Sequence, residues 1–265
     1  MSRFTVIIPA RYASSRLPGK PLLEIAGEPM IRHVHRRAEE SGATRIVIAT
    51  DDQRVAEVAR GFGAEVCMTR PDHGSGTDRL AEAVTLLGLA EEEIVVNVQG
   101  DEPLLPGTLI RQVAGLLERH PGAAIATLCE PLRQADGIFD PHIVKVVRDQ
   151  EGYALYFSRA PIPWWREGFD RGGCSGSPPA DSTWQRHIGL YAYRVASLAR
   201  FTAWPTAPLE ELECLEQLRA LWHGERIVVA EATEPAGHGV DTPADLERVR
   251  EALGNRPSAI RSKDT

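Results

Sequence analysis

Three cations, Arg11, Arg16 and Lys20, crowd the loop Pro9-Ala10-Arg11-Tyr12-Ala13-Ser14-Ser15-Arg16-Leu17-Pro18-Gly19-Lys20-Pro21, which holds no acid. Arg offers a fixed fork of donors to phosphate oxygens, and Lys offers a point charge. The loop follows a short apolar, β-branched run at 4–8 that reads as a buried strand. A cationic loop leaving an early strand of an α/β protein is a place to hold an anion. It is not an NTPase phosphate loop, because Ser14 stands where that motif needs Gly and Pro21 where it needs Ser or Thr. Solvated surface charge is the competing reading of the three cations taken alone.

Two carboxylates much further along add a second chemistry. Asp101 follows the apolar run 94–98, and Asp241 stands at another strand-to-helix junction. Singly, each reads as a turn or capping residue. Converging beside a phosphate-binding loop, they would suit Mg²⁺, which takes hard oxygen ligands from one or two carboxylates plus substrate phosphates. In the second half Arg159 and His187 bracket a stretch rich in Pro, Gly, Ser and Trp, 158–181, which reads as a long functional loop. Taken alone, Arg159 would be a surface ion pair and His187 a strand residue with a backbone hydrogen bond. Glu213, Glu216 and Gln217 lie on the polar face of a helix predicted over 209–222, whose other face is Leu212, Leu215 and Leu218.

The elements that must position these groups alternate. Strands are predicted at 4–8, 45–50, 65–68, 94–98 and 123–129, with helices at 29–40, 53–61, from the end of a polar loop at 70–79 to about 87, and 107–118 between them. That alternation implies a mostly parallel sheet covered on both faces, with ligands at the carboxyl ends of its strands. The second half changes character. Strands at 143–148 and 153–157 flank Asp149-Gln150-Glu151-Gly152 and read as a hairpin. Further strands at 186–194 and 226–230, a helix at 195–204, and a last helix opened by Thr242 as cap and Pro243 complete the chain. The tail from 254 is polar and expected to be disordered.

Composition narrows the function. The 265 residues, 43% of them hydrophobic, suffice for one large α/β domain. Thirty basic against 37 acidic residues, a formal net charge of -7, argue against a general nucleic-acid or acidic-membrane binder. No signal-peptide pattern precedes the first strand, and no apolar run approaches the roughly 18 residues of a membrane span, so a cytoplasmic protein without membrane insertion is expected. The four cysteines are scattered without a C-x-x-C pair and read as reduced thiols. Neither H-E-x-x-H nor G-x-S-x-G occurs, leaving zincin and serine-hydrolase chemistry unsupported.

The loop 8–22 resembles the opening signature of the bacterial 3-deoxy-manno-octulosonate (Kdo) cytidylyltransferases. The resemblance continues in order through Ala49-Thr50-Asp51, Ser75-Gly76-Thr77-Asp78-Arg79, Val98-Gln99-Gly100-Asp101-Glu102-Pro103, Tyr156-Phe157-Ser158-Arg159-Ala160, His187-Ile188-Gly189, Leu215-Glu216-Gln217-Leu218-Arg219 and Gly239-Val240-Asp241-Thr242-Pro243. It covers about residues 4–252. It implies a three-layer, Rossmann-like nucleotide-diphospho-sugar transferase fold with a mostly parallel sheet and a smaller antiparallel hairpin region for dimerisation. The nucleotide-binding part would span about 1–130 and 224–253, the sugar-binding and dimerisation part about 131–223. The resemblance implies a homodimer that joins CTP to Kdo with Mg²⁺, releasing pyrophosphate, for lipopolysaccharide synthesis. On that pattern Arg11 and Lys20 hold the triphosphate, and Asp101 and Asp241 bind metal. Ala10, Arg16, Ala49, Asp51, Ser75, Arg79 and Gln99 complete the nucleotide site, while Arg159, His187, Tyr191, Glu216 and Gln217 face the sugar acid. The stretch 165–183 departs from the pattern in its Gly, Ser and Pro content. The rivals are a cytidylyltransferase for another acidic sugar, a nucleotide-binding regulator without turnover, and a partner-binding α/β module.

Overall fold

β1 (Phe4–Pro9) is apolar on both faces, so it belongs at the centre of a sheet. A computed structural model, which describes residues 3–13, 17–132, 134–170, 173–174 and 184–254, places it there. After β1 come a single 3-10 turn (Lys20–Leu22), a small hairpin of β2 (Glu24–Ile25) and β3 (Glu28–Pro29), and α1 (Met30–Glu40). β4 (Arg45–Thr50), α2 (Gln53–Gly61), β5 (Glu65–Met68), α3 (Gly76–Leu86), β6 (Ile94–Asn97), α4 (Gly107–Arg119) and β7 (Ile125–Pro131) continue the alternation. The second half holds α5 (Ala135–Phe139), β8 (Lys145–Arg148), β9 (Ala154–Ser158), a two-residue pair β10 (Phe169–Asp170) and β11 (Gly173–Cys174), and β12 (Gln185–Arg194). α6 (Val195–Ala203), α7 (Pro208–Glu213), α8 (Leu218–Trp222), β13 (Ile227–Glu231) and α9 (Pro243–Gly254) end the described chain.

The main sheet runs β13-β7-β12-β6-β1-β4-β5, with the β8–β9 hairpin attached to β12. Strand alternation sorts the core into two layers. Val6, Ile8, Val96 and Leu128 face α1, α2 and α4 through Ile31, Val34, Val55 and Val113. Ile7, Val47, Val95 and Val229 face α3, α6 and α8 through Leu80, Leu198 and Leu218. The architecture is therefore the three-layer α/β/α arrangement expected from sequence.

Within that frame β12 matters most for function. It lies between β6 and β7 and is antiparallel to both, while β1, β4, β5 and β6 pair in parallel. An antiparallel strand starts where its parallel neighbours end. Arg186 and His187, at the beginning of β12, are thereby carried to the carboxyl edge of the sheet. The register against β7 slips between Ile188 and Tyr191, where Gly189 and Leu190 are inserted. Two extra residues preserve alternation, so Ile188 and Leu190 still face one layer while Tyr191 and Tyr193 face the other.

One predicted element differs. The helix expected over 209–222 is broken at Cys214, which sits in the left-handed conformation at φ 51° and caps α7. Glu213, Glu216 and Gln217 consequently share no helix face. Leu215 and Leu218 are buried as expected, but Leu212 is 83% exposed. Period-3.6 reasoning carried the pattern through a residue whose backbone turns out of the helix. Arg16, most of the 165–183 stretch and the tail beyond Gly254 lie outside the described residues.

Candidate active site

The loop after β1 meets the turn after β6 at the carboxyl edge of the sheet, and a glycine permits the approach. A Cβ on Gly100 would fall 2.8 Å from the Pro9 carbonyl oxygen, closer than side chains come to backbone. The resulting cleft, about 220 Å³, is walled by Ala10, Arg11 and Lys20 from the first loop, Ser75 and Arg79 from the start of α3, and Gln99 and Asp101 beyond β6, with Asp241 opposite. Ser75 caps α3 by accepting from the Asp78 amide at 3.1 Å, and Asp78 returns the bond to the Ser75 amide. The cap leaves the first amides of α3 at the cleft floor, an orientation suited to an anion.

Asp101 and Asp241 do converge. The Val240 amide donates to the Asp101 carbonyl at 2.8 Å, which staples the two segments together. Lys20 Nζ donates to Asp101 Oδ2 at 2.7 Å and to Asp241 Oδ1 at 3.2 Å. An ammonium held between both carboxylates shows that one cation position is shared by the two. Among the described residues no group of three or more His, Cys, Asp or Glu forms a closed metal cage. Two carboxylates opening on a cleft lined by Arg11, Lys20 and Arg79 would instead fit a Mg²⁺ ion, which takes hard oxygen ligands from one or two carboxylates plus phosphates. Glu102 crowds the same corner. Its carboxyl is pushed up to about 8, by burial first and then by Asp101, with Asp241 adding to the effect.

Other nucleotide-site candidates sit behind the wall. Ala49 is fully buried, and its carbonyl accepts from the Ala10 amide at 2.8 Å, fixing where the loop leaves β1. Asp51 Oδ1 lies 3.3 Å from Arg79 Nη1, and that Arg also donates to Thr69 Oγ1 at 2.5 Å. Neither Ala49 nor Asp51 lines the cleft, whereas Arg79 does. His73 lines it too, 2.5 Å from Glu82, and sequence reasoning gave it no role.

A second cavity, about 390 Å³, adjoins the cleft and shares Gln99 and Asp241 with it. A third, about 260 Å³, continues past Arg186, His187 and Gly189 to Tyr191 and Gln217. His187 stands between them. Burial, helped by the charge of Arg186, pushes its imidazole down to about 3, so the ring is neutral. Its Nε2 lies 3.0 Å from Thr127 Oγ1, whose hydroxyl is also 3.0 Å from the Ile188 carbonyl and 2.8 Å from that of Leu190. The inserted pair in β12 would otherwise leave those carbonyls unpaired. Burial also raises the Tyr191 phenol well above its usual range, so it stays protonated.

The remaining sugar-site candidates are not all brought to these cavities. Glu216 accepts from Thr77 Oγ1 at 2.6 Å, tying the α7–α8 turn to α3. Arg159 donates from Nε to the Glu213 carbonyl at 2.7 Å and from Nη1 to the Pro141 carbonyl at 2.9 Å. Neither residue lines the cleft or the two cavities. Two residues without an earlier role hold this wall. Arg186 lines both cavities. Lys145, fully buried, donates to the carbonyls of Asp140 at 2.9 Å, Ile143 at 2.6 Å and Arg159 at 2.6 Å. Sequence signals for both were slight, since each reads as one cation in an alternating strand.

Comparison with known proteins places the chain in a family. Residues 5–227 match the family model described as Cytidylyltransferase. The chain is 59% identical over 253 residues, 96% of this chain and 97% of the relative, to 3-deoxy-manno-octulosonate cytidylyltransferase of Alkalilimnicola ehrlichii. It is 58% identical over 250 residues, 94% and 96% of the two chains, to the protein of that name from Halorhodospira halophila. A solved structure of CMP:2-keto-3-deoxy-manno-octonic acid synthetase complexed with CTP superposes at a TM-score of 0.86, with 41% identity over 96% of this chain and 99% of the other. The ordered motifs, the three-layer fold and these likenesses agree, and the chain belongs to the 3-deoxy-manno-octulosonate cytidylyltransferase family.

Proposed function

We propose that this chain transfers the cytidylyl group of CTP to Kdo, giving CMP-Kdo and pyrophosphate. The observation that carries the reading is the meeting of Arg11, Lys20, Asp101 and Asp241 at one cleft that opens into a cavity edged by His187. Membership of a family whose relatives bear this activity in their names supports the two substrates. In the reaction the anomeric hydroxyl oxygen of Kdo bonds to the α-phosphorus of CTP. The bond from that phosphorus to the bridging oxygen breaks, pyrophosphate leaves, and the hydroxyl proton passes to solvent.

An in-line displacement of this kind asks the protein mainly for positioning and charge stabilisation. Arg11 and Lys20 face the triphosphate and stabilise the charge that grows on pyrophosphate. Ser75, Arg79 and Gln99 line the nucleotide half of the cleft. His187, Tyr191 and Gln217 line the sugar half, where the neutral imidazole and protonated phenol can serve sugar hydroxyls without adding charge. Asp101 and Asp241 are the residues that would hold Mg²⁺. When bound, that ion supplies neutralisation of phosphoryl charge and lowers the pKa of a coordinated hydroxyl.

The reading includes a homodimer acting in the cytoplasm, where CMP-Kdo would supply lipopolysaccharide assembly. Among the described residues no helix is long and apolar enough to cross a membrane. One coupled assay tests the proposal: pyrophosphate release with CTP, Mg²⁺ and a panel of sugar acids. Release is expected with Kdo, with CMP-Kdo as the isolated product. Turnover of another acidic sugar in preference to Kdo would move the substrate assignment, and none with any sugar acid would remove the enzymatic one.

A further inference from the structure

Kdo is a 2-keto acid, so its carboxylate sits on the carbon that carries the attacking hydroxyl. Whatever receives that carboxylate must therefore stand close to the reacting phosphorus. The cavity beside the cleft already contains a carboxylate, that of Asp241. An anionic sugar entering it meets repulsion unless a cation stands in the same wall. Among the described residues, Arg186 is the one lining both cavities that carries a permanent positive charge. The histidine beside it, His187, is neutral.

We propose that Arg186 is the guanidinium that receives the sugar carboxylate, while Arg159 braces the wall behind it. The inference rests on the reading of the site as one for an acidic sugar. Two observations on Arg186 support it. Its Nη2 lies 2.5 Å from Glu130 Oε1 on the neighbouring strand, yet the side chains stay 28% and 27% exposed, so its outer edge reaches the cavity. Its Nε is buried and has no hydrogen-bond partner. Glu130 therefore does not use the whole fork, and the exposed remainder of the guanidinium is what a carboxylate in the cavity can reach. Glu130 then orients the fork from behind, because Arg186 and Glu130 are register partners on β12 and β7. Arg159, by contrast, has two of its guanidinium nitrogens on main-chain carbonyls. Its task is to fasten the 140–143 turn to the end of α7.

The test uses CTP, Kdo and the uncharged 1-carboxamide of Kdo with wild type, Arg186→Met and Arg159→Met. Wild type is expected to prefer the acid over the amide in kcat/KM. Arg186→Met should raise the KM for Kdo about 10–100-fold, the range of one charge-assisted contact, and abolish the preference. Its affinity for CTP, measured without sugar, should stay within about twofold, because Arg186 does not line the nucleotide cleft. A purely structural role would depress acid and amide alike and leave the preference intact, which would overturn the proposal. Loss of the preference in Arg159→Met but not in Arg186→Met would overturn it as well and make Arg159 the receptor. If Arg186→Met does not fold, as judged by CTP binding, Arg186→Gln carries the same comparison. Should wild type itself fail to turn over Kdo with CTP, the substrate reading falls and takes this inference with it. Kdo turnover with an unchanged preference in the Arg186 variants removes this inference alone.

Discussion

Lys20 stands in two chemistries at once. On the proposed reading it belongs to the loop that would face the triphosphate, and it bridges Asp101 and Asp241 at 2.7 Å and 3.2 Å. On the reading that these carboxylates hold Mg²⁺, the ammonium and the ion compete for the same oxygens in the free protein. Lys20→Met should then bind Mn²⁺ without nucleotide roughly 10-fold more tightly, and bind CTP about 10-fold more weakly. Electron paramagnetic resonance would follow the first and equilibrium dialysis the second. Unchanged Mn²⁺ affinity would mean the carboxylates do not form the cation site. His187 makes a separate prediction. Its folded pKa of about 3 lies below the ordinary 6.5, so the unfolded chain takes up a proton that the folded chain refuses. The resulting stability is whole above pH 6.5 and drains as pH falls from there toward 3. Between about pH 7 and pH 5 wild type should lose roughly 1–2 kcal/mol more than His187→Asn in urea unfolding, nearer the lower figure because the ring is partly exposed. Equal losses would assign the pH dependence to other groups.

Lys145 shows how an element is fixed without any contact to the cleft. Its position on β8 is an ordinary strand position in the sequence, yet the side chain is fully buried beneath the hairpin. Three carbonyls at 2.6 to 2.9 Å consume all its donors, joining the turn before β8 to the end of β9. Lys145→Met would leave those carbonyls without partners inside the wall. A loss of about 2–4 kcal/mol in urea unfolding is expected, with CTP affinity retained by the fraction that stays folded. A loss below about 0.5 kcal/mol would show that the carbonyls find water. The hairpin itself was legible, because Asp149-Gln150-Glu151-Gly152 separates two alternating runs. Its attachment to β12 was not, since strand pairing across the chain depends on which edge remains open after the parallel sheet has assembled.

At the scale of the whole molecule, large apolar side chains of the second half stay exposed among the described residues. Leu155 on β9 is 63% exposed, Leu212 on α7 83% and Trp222 on α8 54%. All belong to the half expected to dimerise, and α7 and β9 both adjoin α8. Isolated exposed apolar residues are ordinary, but three large ones on neighbouring elements suit burial between subunits. Light scattering should therefore give twice the chain mass for wild type and a shift toward the monomer for Leu155→Asp combined with Leu212→Asp. A monomeric wild type at micromolar concentration would remove the dimer from the functional reading.

The sequence by itself determined the alternating elements, the cationic first loop and the two aspartates, because buried periodicity and strand-end polar runs are local signals. It also contained the ordered motifs of the family from end to end. Tertiary structure alone decided that Asp101 and Asp241 share one cation position, since their meeting depends on the stapling of two distant segments. It alone decided that β12 enters the sheet reversed and bulged, which delivers Arg186 and His187 to the carboxyl edge. The break at Cys214 lay beyond pattern reading for the same physical reason. A left-handed residue and a reversed strand are chosen by the packing around them, and no spacing of side chains along the chain encodes that packing directly.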